Sequence, residues 1–479
     1  MSARARELFG LLPVSLLVAA GFAAVLATRT EDVSDATLTY GAVFLGLCVL
    51  AHLFIRARLP EADPYMFPLA ALLAAVGLVL IYRIDAELAR EQAQWFVVGL
   101  IFFCGTILLI RDHHVLERYR YLIAAASIAL LVLPRLPGIG AQVNGAFLAI
   151  KLGPIQFQPA EFAKLGIIVF LASYLRETGD ILVRPRLRPL PGTSQLLLYG
   201  VPAALTLLAI LVFDLGAAGS VLLIVFVASL VAVLRERPSP KHFGPLLLVW
   251  GLAMLMLIVI RDLGSSLMFF GGFLALLYVA TGRLSLIGVG ATMFFGGSFF
   301  LARNVSHVQE RVDIWLDPFK PAVVDDEGYQ IAQSLFAQAD GGLFGRGFGE
   351  ALIEFGGTPI IPAAHTDLIY AVLVNEAGLF GAAGVIGAYL LFAFRGFKTA
   401  MLANDGFSKL LATGLTAVLA LQVFVIVGGV TRVIPLTGVT MPFVSYGGSS
   451  IVANMVLLAL LLIVSDHARA EGIRRGGLV

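Results

Sequence analysis

Apolar residues in this chain are gathered into runs long enough to cross a lipid bilayer. A helix rises about 1.5 Å per residue, so a hydrocarbon core of about 30 Å takes roughly 20 apolar residues. Such runs predict about fourteen transmembrane helices and an all-α, polytopic integral membrane protein. The predicted spans cover residues 9–28, 37–55, 66–82, 94–110, 121–134, 160–175, 195–213, 216–234, 243–260, 263–281, 284–302, 367–394, 407–430 and 448–465.

The first apolar run has two interpretations. It follows a short basic start with Arg4 and Arg6, which is typical of signal peptides and of membrane anchors. A second run follows directly, and no small-residue cleavage site stands out. We therefore expect an uncleaved anchor.

Composition narrows the class of protein. Hydrophobic residues make up 59% of the 479 residues and charged residues only 13%, which excludes an ordinary soluble enzyme. The formal net charge is +2, so no concentrated basic surface is available and nucleic acid is not an expected partner. The two cysteines, Cys48 and Cys104, lie inside apolar runs and are expected to pack as small hydrophobes.

The distribution of basic residues predicts the orientation. With the N-terminus in the cytoplasm, most of the 33 Lys and Arg residues fall on inner segments, as the positive-inside rule requires. The short segment 29–35 on the other side is acidic. Both termini are therefore expected in the cytoplasm, with residues 467–479 as a cytoplasmic tail.

Two outer segments differ from the other connections. Residues 135–159 are rich in Pro and Gly, and residues 304–366 form the one long hydrophilic loop between predicted spans. A loop of this length is uncommon unless it is functional or disordered. Because it keeps aromatic and aliphatic residues among its glycines, we expect it to be ordered and folded back toward the membrane.

A short sequence pattern occurs twice. Residues 213–216 and 261–264 share Asp-Leu-Gly, lie 48 positions apart, and are each flanked by apolar runs. A local duplication of a two-helix unit and chance similarity between apolar sequences both explain this pattern.

Ionisable residues at the spans are candidate functional groups, because a charge inside a membrane is costly without a partner or a cavity. Glu161 and Lys164 open one span and share a helix face at i, i+3 spacing. A functional pair and a self-neutralising structural pair both fit. Asp214 and Asp262 precede glycines at helix boundaries, where helix capping is the favoured interpretation.

Asp367 follows His365 where the long loop re-enters the membrane. It either caps the next helix or, as a partly desolvated carboxylate beside a titratable His, serves as a general base. Glu376 lies nine residues further on and is expected to pair with a buried cation.

Residues 432–450 contain two prolines and several glycines within an apolar pattern, so the backbone there is expected to be irregular. Irregular backbone in a membrane protein is tolerated where it is buried or lines a cavity. P-loop, HExxH and GxSxG motifs are absent from the chain, which disfavours an ATP-driven machine or a zinc protease.

Four motifs together resemble the SEDS family of polytopic cell-wall polymerases, over roughly residues 66–466. They are Leu152-Gly153-Pro154 with Gln158-Pro159-Ala160-Glu161-Phe162-Ala163-Lys164; Asp262-Leu263-Gly264; Trp315-Leu316-Asp317-Pro318 through Gly341-Gly342-Leu343-Phe344-Gly345-Arg346-Gly347 to His365-Thr366-Asp367; and Pro435-Leu436-Thr437-Gly438 with Pro442-Phe443-Val444-Ser445-Tyr446-Gly447-Gly448-Ser449-Ser450. The extended N-terminus and the sequence around Thr431-Arg432 resemble elongation-type members of actinobacteria.

The chain departs from the family pattern at a few positions. Ala160 replaces a Ser, Arg261 a Pro, Ala363 a Glu, and Asn375 the first of two Glu residues. The family core has ten spans, which implies a two-helix N-terminal extension over residues 1–60. The polymerase core would then occupy 61–466, with an inserted helix pair at 195–234 and the extracytoplasmic loop at 304–366.

The resemblance implies a peptidoglycan glycosyltransferase in the bacterial cytoplasmic membrane. Its substrates would be lipid II and the growing glycan strand, and its partner a class B penicillin-binding protein transpeptidase. Asp367 would be the catalytic base. The residues expected to bind substrate are Gln158, Glu161, Lys164, Gln333, Arg346, His365, Arg432 and Ser445.

Within this set, Lys164, Arg432 and Arg346 are candidates to stabilise the pyrophosphate of the leaving group. Glu161 would orient Lys164, and Gln333 and Ser445 would make polar contacts. No cofactor is required by the sequence, and a divalent cation is a further candidate for charge stabilisation.

Two other functions fit the same features. Many spans, intramembrane charges and interrupted helices are also typical of a transporter or lipid flippase. A scaffold for a transpeptidase is a third interpretation, and it predicts tolerance of changes at Asp367. A flippase should carry polar residues along the whole membrane path, whereas here they gather on one side.

Overall fold

The structure is a computed structural model, and helices dominate it. It describes residues 3–28, 35–136, 139–143, 146–152, 155–183, 199–213, 216–236, 251, 262–304, 306–321, 324, 326, 328–351, 353–355, 358–361 and 363–474. The helices are α1 Ala3–Thr28, α2 Asp35–Arg58, α3 Met66–Ile84, α4 Ala86–Leu109, α5 His114–Arg118, α6 Arg120–Val132, α7 Ala160–Val183, α8 Val201–Phe213, α9 Gly216–Glu236, α10 Leu263–Thr281, α11 Leu284–Asn304, α12 Ser306–Leu316, α13 Tyr329–Gly341, α14 Ile369–Leu402, α15 Gly406–Val430 and α16 Gly448–Arg474.

The predicted all-α membrane fold is confirmed, whereas the count of fourteen spans is not. In the described part of the chain, eight helices are long and apolar enough to cross a membrane. The predicted span 121–134 contains a helix of only 13 residues, α6. The predicted span 243–260, apart from residue 251, and Asp214 lie outside the described residues.

Several helices continue beyond the predicted spans. α14 runs to Leu402 and α16 to Arg474, so the helix extends into the segment predicted as a tail. An apolar run marks only the part of a helix that lies in lipid. Beyond the lipid, the helix continues as long as its backbone N–H and C=O groups keep pairing along the helix.

Helices α15 and α16 form the centre of the bundle. In α16, 89% of the apolar window is buried within the protein, and in α15 the share is 78%. The corresponding value for α1 is 28%, as expected of a helix at the lipid-facing edge. Helix α4 packs along α16, and α14 and α10 pack against α15. The residues that begin α16 are therefore held in the middle of the molecule.

Helix α14 is broken near its start, at Gly378, where φ is +68° and ψ is −173°. The loop after α13 fills the break. Its amides from Arg346 and Gly347 donate to the carbonyl oxygens of Asn375 and Glu376 at 2.9 and 3.0 Å. Only Gly fits here without strain, because a Cβ on Gly378 would lie 2.3 Å from the Gly345 nitrogen.

Glu376 is buried and pairs with a cation, as predicted, although that cation is only partly buried. Its Oε1 lies 2.9 Å from Nε of Arg83, which is near the end of α3. The same guanidinium donates to the carbonyl oxygens of Gly349 and Ala351 at 2.8 and 2.7 Å. This pair fixes the loop after α13 against α3 and α14.

The Pro- and Gly-rich segment forms a small antiparallel sheet that the sequence analysis did not predict. Its strands are β1 Gly140–Val143, β2 Ala146–Leu152 and β3 Ile155–Phe157, in the order β1-β2-β3. A second pair, β4 Glu354–Phe355 and β5 Thr358–Pro359, lies in the long loop.

The long loop 304–366 is ordered in its described parts, as predicted. Helices α12 and α13 occupy it; α12 contacts the segment after α15, and α13 contacts the last residue of α15. The Trp315 indole donates to the carbonyl oxygen of Arg432 at 3.1 Å, and the Gln338 amide donates to that of Val430 at 3.0 Å. The loop therefore covers the end of the bundle where α15 stops.

Candidate active site

A polar cavity of about 910 Å³ lies at the end of the bundle where α4 and α16 begin. Trp95 of α4, Arg311 of α12, Gln330 of α13 and the 448–450 segment of α16 contribute to its walls. Its volume is in the range of cavities that hold organic ligands, about 300–1,000 Å³. The irregular segment 432–450 forms much of the lining, as the interrupted apolar pattern predicts.

Asp367 lines this cavity and is half-buried. Its Oδ1 accepts a hydrogen bond of 2.6 Å from the Thr366 hydroxyl. A Cβ built on Gly438 would lie 3.7 Å from Oδ2, so a glycine leaves room beside the second oxygen. Helix α14 begins two residues later, and Leu368 is its capping residue without a side-chain cap. The carboxylate is therefore oriented by Thr366 rather than used as the cap of α14.

Two motifs that are distant in sequence meet around Asp367. The Ser445 hydroxyl donates to the carbonyl oxygen of Thr366 at 2.6 Å, and the Tyr446 amide donates to that of His365 at 2.8 Å. The His365 ring packs edge-on against the Tyr446 ring, with centroids 5.6 Å apart. Burial lowers the pKa of His365, so this imidazole stays neutral to lower pH than a free histidine.

The segments around the cavity contain residues with unusual backbone dihedral angles. Ala363, Arg432 and Phe443 are the non-glycine residues with positive φ in the described part of the chain, at +53°, +62° and +65°. Such conformations cost about 1–3 kcal/mol each and cluster at functional sites. Each of the three lies in a segment that leads into the cavity wall.

Two guanidinium groups line the cavity. Arg311 donates from Nη1 to the carbonyl oxygen of Leu436 at 2.8 Å. Arg432 donates from Nε to the carbonyl oxygen of Trp315 at 2.8 Å and from Nη2 to that of Leu316, the last residue of α12. Since a guanidinium has five N–H donors, both groups keep donors beyond these bonds. The cavity lining thus contains two cationic groups as well as the Asp367 carboxylate.

Glu161 and Lys164 form a buried pair behind the cavity rather than in its lining. Lys164 Nζ lies 2.5 Å from Glu161 Oε2 and donates to Gln422 Oε1 at 2.8 Å. The Gln422 amide in turn donates to the carbonyl oxygen of Thr440, which does line the cavity, at 2.7 Å. This arrangement favours the structural interpretation and connects the pair to the cavity wall.

Of the other predicted site residues, some line the cavity and some lie outside its lining. Gln158 lines the cavity, and its backbone amide donates to the Ser449 hydroxyl at 2.9 Å. Gln333 is not among the lining residues, although Gln330 and Ile331 on the same helix are. Ser445 is buried and supports the backbone around Asp367.

Arg346 lies away from the cavity. It pairs with Asp340 on an exposed surface. The hydrogen bond between the two side chains raises the pKa of Arg346 and lowers that of Asp340. The prediction that Arg346 faces the leaving group therefore has no support in its position.

Sequence reasoning missed several polar cavity residues as site residues, among them Arg311, Asp262 and Glu91. Arg311 lies in a polar loop helix, where nothing in the apolar pattern singles out one charge. Asp262 also lines the cavity while capping α10 through the Ser265 amide at 2.9 Å, so the predicted capping role is confirmed. Glu91 accepts a hydrogen bond from the Tyr446 hydroxyl, and burial together with this carboxylate raises the pKa of Tyr446.

The fold and the cavity define a polytopic membrane protein with a polar site at one end of a helix bundle. The model of the FtsW, RodA and SpoVE family of cell cycle proteins matches residues 64–237 and 220–470. The peptidoglycan glycosyltransferase RodA of Mycobacterium tuberculosis is 36% identical over 477 residues, covering 97% of this chain and 91% of that protein. This chain therefore belongs to the FtsW, RodA and SpoVE family.

Solved structures agree with this assignment. A chain from a study of how a peptidoglycan synthase complex coordinates polymerization and crosslinking matches with a TM-score of 0.59 and 26% identity, covering 85% of this chain and 98% of that one. A variant of the rod shape determining protein RodA of Thermus thermophilus matches with a TM-score of 0.51 and 25% identity, covering 84% and 97%. The predicted resemblance to actinobacterial members is confirmed by the mycobacterial relative.

Proposed function

We propose that this chain is a peptidoglycan glycosyltransferase that polymerises lipid II into glycan strands during cell-wall elongation or division. The observation that carries the proposal is the position of the Asp367 carboxylate. It lines a cavity of about 910 Å³ that Arg311 and Arg432 also line. Transfer of a sugar from a pyrophosphate donor requires a base that accepts the proton of the attacking hydroxyl. It also requires cations that stabilise the leaving pyrophosphate. The mycobacterial relative is named a peptidoglycan glycosyltransferase, which supports glycosyl transfer as the reaction.

In the proposed reaction Asp367 accepts the proton from the 4-hydroxyl of the acceptor sugar. The acceptor oxygen then forms a bond to the anomeric carbon of the donor, whose bond to the pyrophosphate oxygen breaks with inversion. Undecaprenyl pyrophosphate leaves with the electron pair. A positioned general base contributes about 10²–10⁴-fold to such a step.

We assign to Arg311 and Arg432 the role of stabilising the negative charge that develops on the leaving pyrophosphate. Guanidinium groups bind phosphate oxygens in a bidentate manner and remain charged at all physiological pH values. Gln158 is assigned to hydrogen bonding with substrate, since it lines the same cavity. Glu161, Lys164, His365 and Ser445 are assigned as positioning residues, because their contacts support the cavity wall.

A divalent cation remains a candidate for part of this charge stabilisation. Among the described residues, the groups of three His or Asp side chains close enough to share an ion lie outside the cavity lining. The described residues therefore place no such group at Asp367, and the proposed mechanism assigns this charge to Arg311 and Arg432.

We further propose that the chain lies in the bacterial cytoplasmic membrane with both termini in the cytoplasm and the cavity on the outer side. The bias of basic residues toward the opposite side supports this orientation. We also propose a class B penicillin-binding protein as partner. The structural match to a synthase complex that couples polymerization to crosslinking supports such a partner.

The experiment that tests the function uses purified full-length chain in liposomes that contain labelled lipid II. We expect glycan chains to form in the presence of this protein, with more product when the transpeptidase is coexpressed. Parallel samples with chelator test the divalent cation. Movement of labelled lipid II between leaflets without chain formation would overturn the proposal in favour of a flippase.

A further inference from the structure

A cluster of histidine and aspartate side chains lies at the opposite end of the bundle from the cavity. Asp112 and His113 follow α4, and His467 lies near the end of α16. Each offers one ligand atom, and these atoms all lie within 4.8 Å of one another. Gly448, which lines the cavity, and His467 are nineteen positions apart on α16. At a rise of about 1.5 Å per residue, roughly 29 Å separates the cluster from the cavity.

His113 is the central member of the cluster and is buried, with an exposed fraction of 1%. Its Nε2 lies 2.5 Å from the Ser408 hydroxyl. Its Nδ1 is buried and has no hydrogen-bond partner among the described residues. A buried polar nitrogen without a partner costs free energy, so its presence calls for a ligand.

Each imidazole of the cluster has one ring nitrogen engaged in a hydrogen bond and the other left for a metal ion. The Nδ1 of His467 lies 2.9 Å from the carbonyl oxygen of Ile463. A hydrogen bond to one ring nitrogen leaves the lone pair on the other, which is the usual arrangement for a metal-binding histidine.

His114 and Asp405 lie next to these three residues, and His114 contacts both Asp112 and Asp405. The His114 Nδ1 lies 2.8 Å from Asp112 Oδ1, and its Nε2 lies 3.4 Å from Asp405 Oδ1. Asp405 Oδ1 also accepts the Ser408 amide at 2.9 Å, which caps the start of α15. Both side chains are therefore engaged in holding Asp112 and Ser408 in place.

We propose that Asp112, His113 and His467 form a binding site for a divalent transition metal of the Zn²⁺ type. Two imidazoles and one carboxylate suit Zn²⁺, whereas Mg²⁺ prefers a set of oxygen ligands. Three protein ligands leave a fourth position for water. The ion would join the segment after α4 to the end of the central helix α16, far from the reaction.

The test is a Zn²⁺ titration of the purified, chelator-stripped full-length chain against a competing chromophoric chelator. We expect one Zn²⁺ per chain, with millimolar Mg²⁺ unable to compete. Asp112→Asn and His467→Gln should each weaken Zn²⁺ binding at least about tenfold. The matched control is Glu87→Gln, which removes an exposed carboxylate near the cavity end of α4 and should bind Zn²⁺ like the parent chain.

Two results would overturn the site. One is the absence of stoichiometric Zn²⁺ binding by the parent chain. The other is an unchanged affinity in Asp112→Asn. The Asp112 side chain is 58% exposed, so this variant is expected to fold even where a change at buried His113 does not. The readout is metal binding, so a failure of the proposed glycosyltransferase activity would leave this result unaffected.

Discussion

Ser445 and Thr366 are 79 positions apart in the sequence and are joined by a hydrogen bond of 2.6 Å from the Ser445 hydroxyl to the Thr366 carbonyl oxygen. The same hydroxyl accepts the Met441 amide at 2.8 Å. The irregular segment before α16 is thus fixed to the turn that carries Asp367. Through this contact, the conformation of one motif determines the position of the carboxylate in the other.

Ser445→Ala should lower both stability and activity. It leaves the buried Met441 amide without its acceptor, which costs about 1–3 kcal/mol. It also frees the turn at Asp367, and small misplacement of a catalytic group lowers the rate by roughly tenfold or more. Thermal unfolding and polymerisation of lipid II measure the two effects. Ser15→Ala, which removes a hydroxyl bonded only to its own helix, is the control and should behave like the parent chain.

Changes at Glu161 and Lys164 distinguish a structural pair from a substrate-binding pair. Removing one partner of a buried ion pair costs about 3–5 kcal/mol, because the other charge stays buried alone. Glu161→Gln and Lys164→Met should therefore each lower the midpoint of thermal unfolding. The double variant should recover most of that loss and keep polymerisation within about tenfold of the parent, since neither charge lines the cavity. A stable double variant without activity would show that these charges act on the substrate.

The two arginines Arg311 and Arg346 should differ sharply in their effect on polymerisation. Arg311→Gln removes a cation from the cavity wall and should lower the rate by about a hundredfold, as loss of one preorganised donor does in other enzymes. Arg346→Gln breaks a pair on an exposed surface and should leave the rate and the stability close to those of the parent chain. Equal losses in the two variants would contradict the assignment of the pyrophosphate to the cavity wall.

Gly378→Ala should destabilise the chain strongly, because a Cβ there would lie 2.3 to 2.5 Å from atoms of Gly345 and Leu343. The positive φ at this position adds strain of about 1 kcal/mol or more. Gly384→Ala on the same helix is the matched control, since a Cβ there meets nothing within 4 Å. We expect a lower midpoint of thermal unfolding for the first variant and no loss for the second. Equal midpoints would mean that the loop does not occupy the break in α14.

The helices of the membrane region could be predicted from the sequence because burial in lipid requires long apolar runs. Interruptions in those runs, as at 432–450, likewise predicted an irregular cavity wall. The ends of helices were less predictable, since α14 and α16 extend beyond their apolar parts. The break at Gly378 was missed because a loop from elsewhere in the chain supplies the hydrogen bonds that make it stable.

Site residues could be predicted where a charged residue stood out against an apolar run of the sequence. Asp367 and Arg432 stand out as charges at the ends of apolar runs, and both line the cavity. Arg311 did not stand out, because it is one charge of several on a polar helix. Arg346 was chosen for its charge, yet its partner Asp340 neutralises it on the surface. Pairing of this kind depends on tertiary contacts that spacing along the chain does not reveal.

The most direct test of the proposed base is Asp367→Asn, assayed for glycan polymerisation from purified lipid II. The amide keeps the size and the polar character of the side chain but accepts no proton, so the rate should fall by at least about a hundredfold. Asp340→Asn, which changes an exposed carboxylate near the end of α13, should polymerise at the rate of the parent chain. Full polymerisation by Asp367→Asn at normal expression and thermal stability would contradict the account.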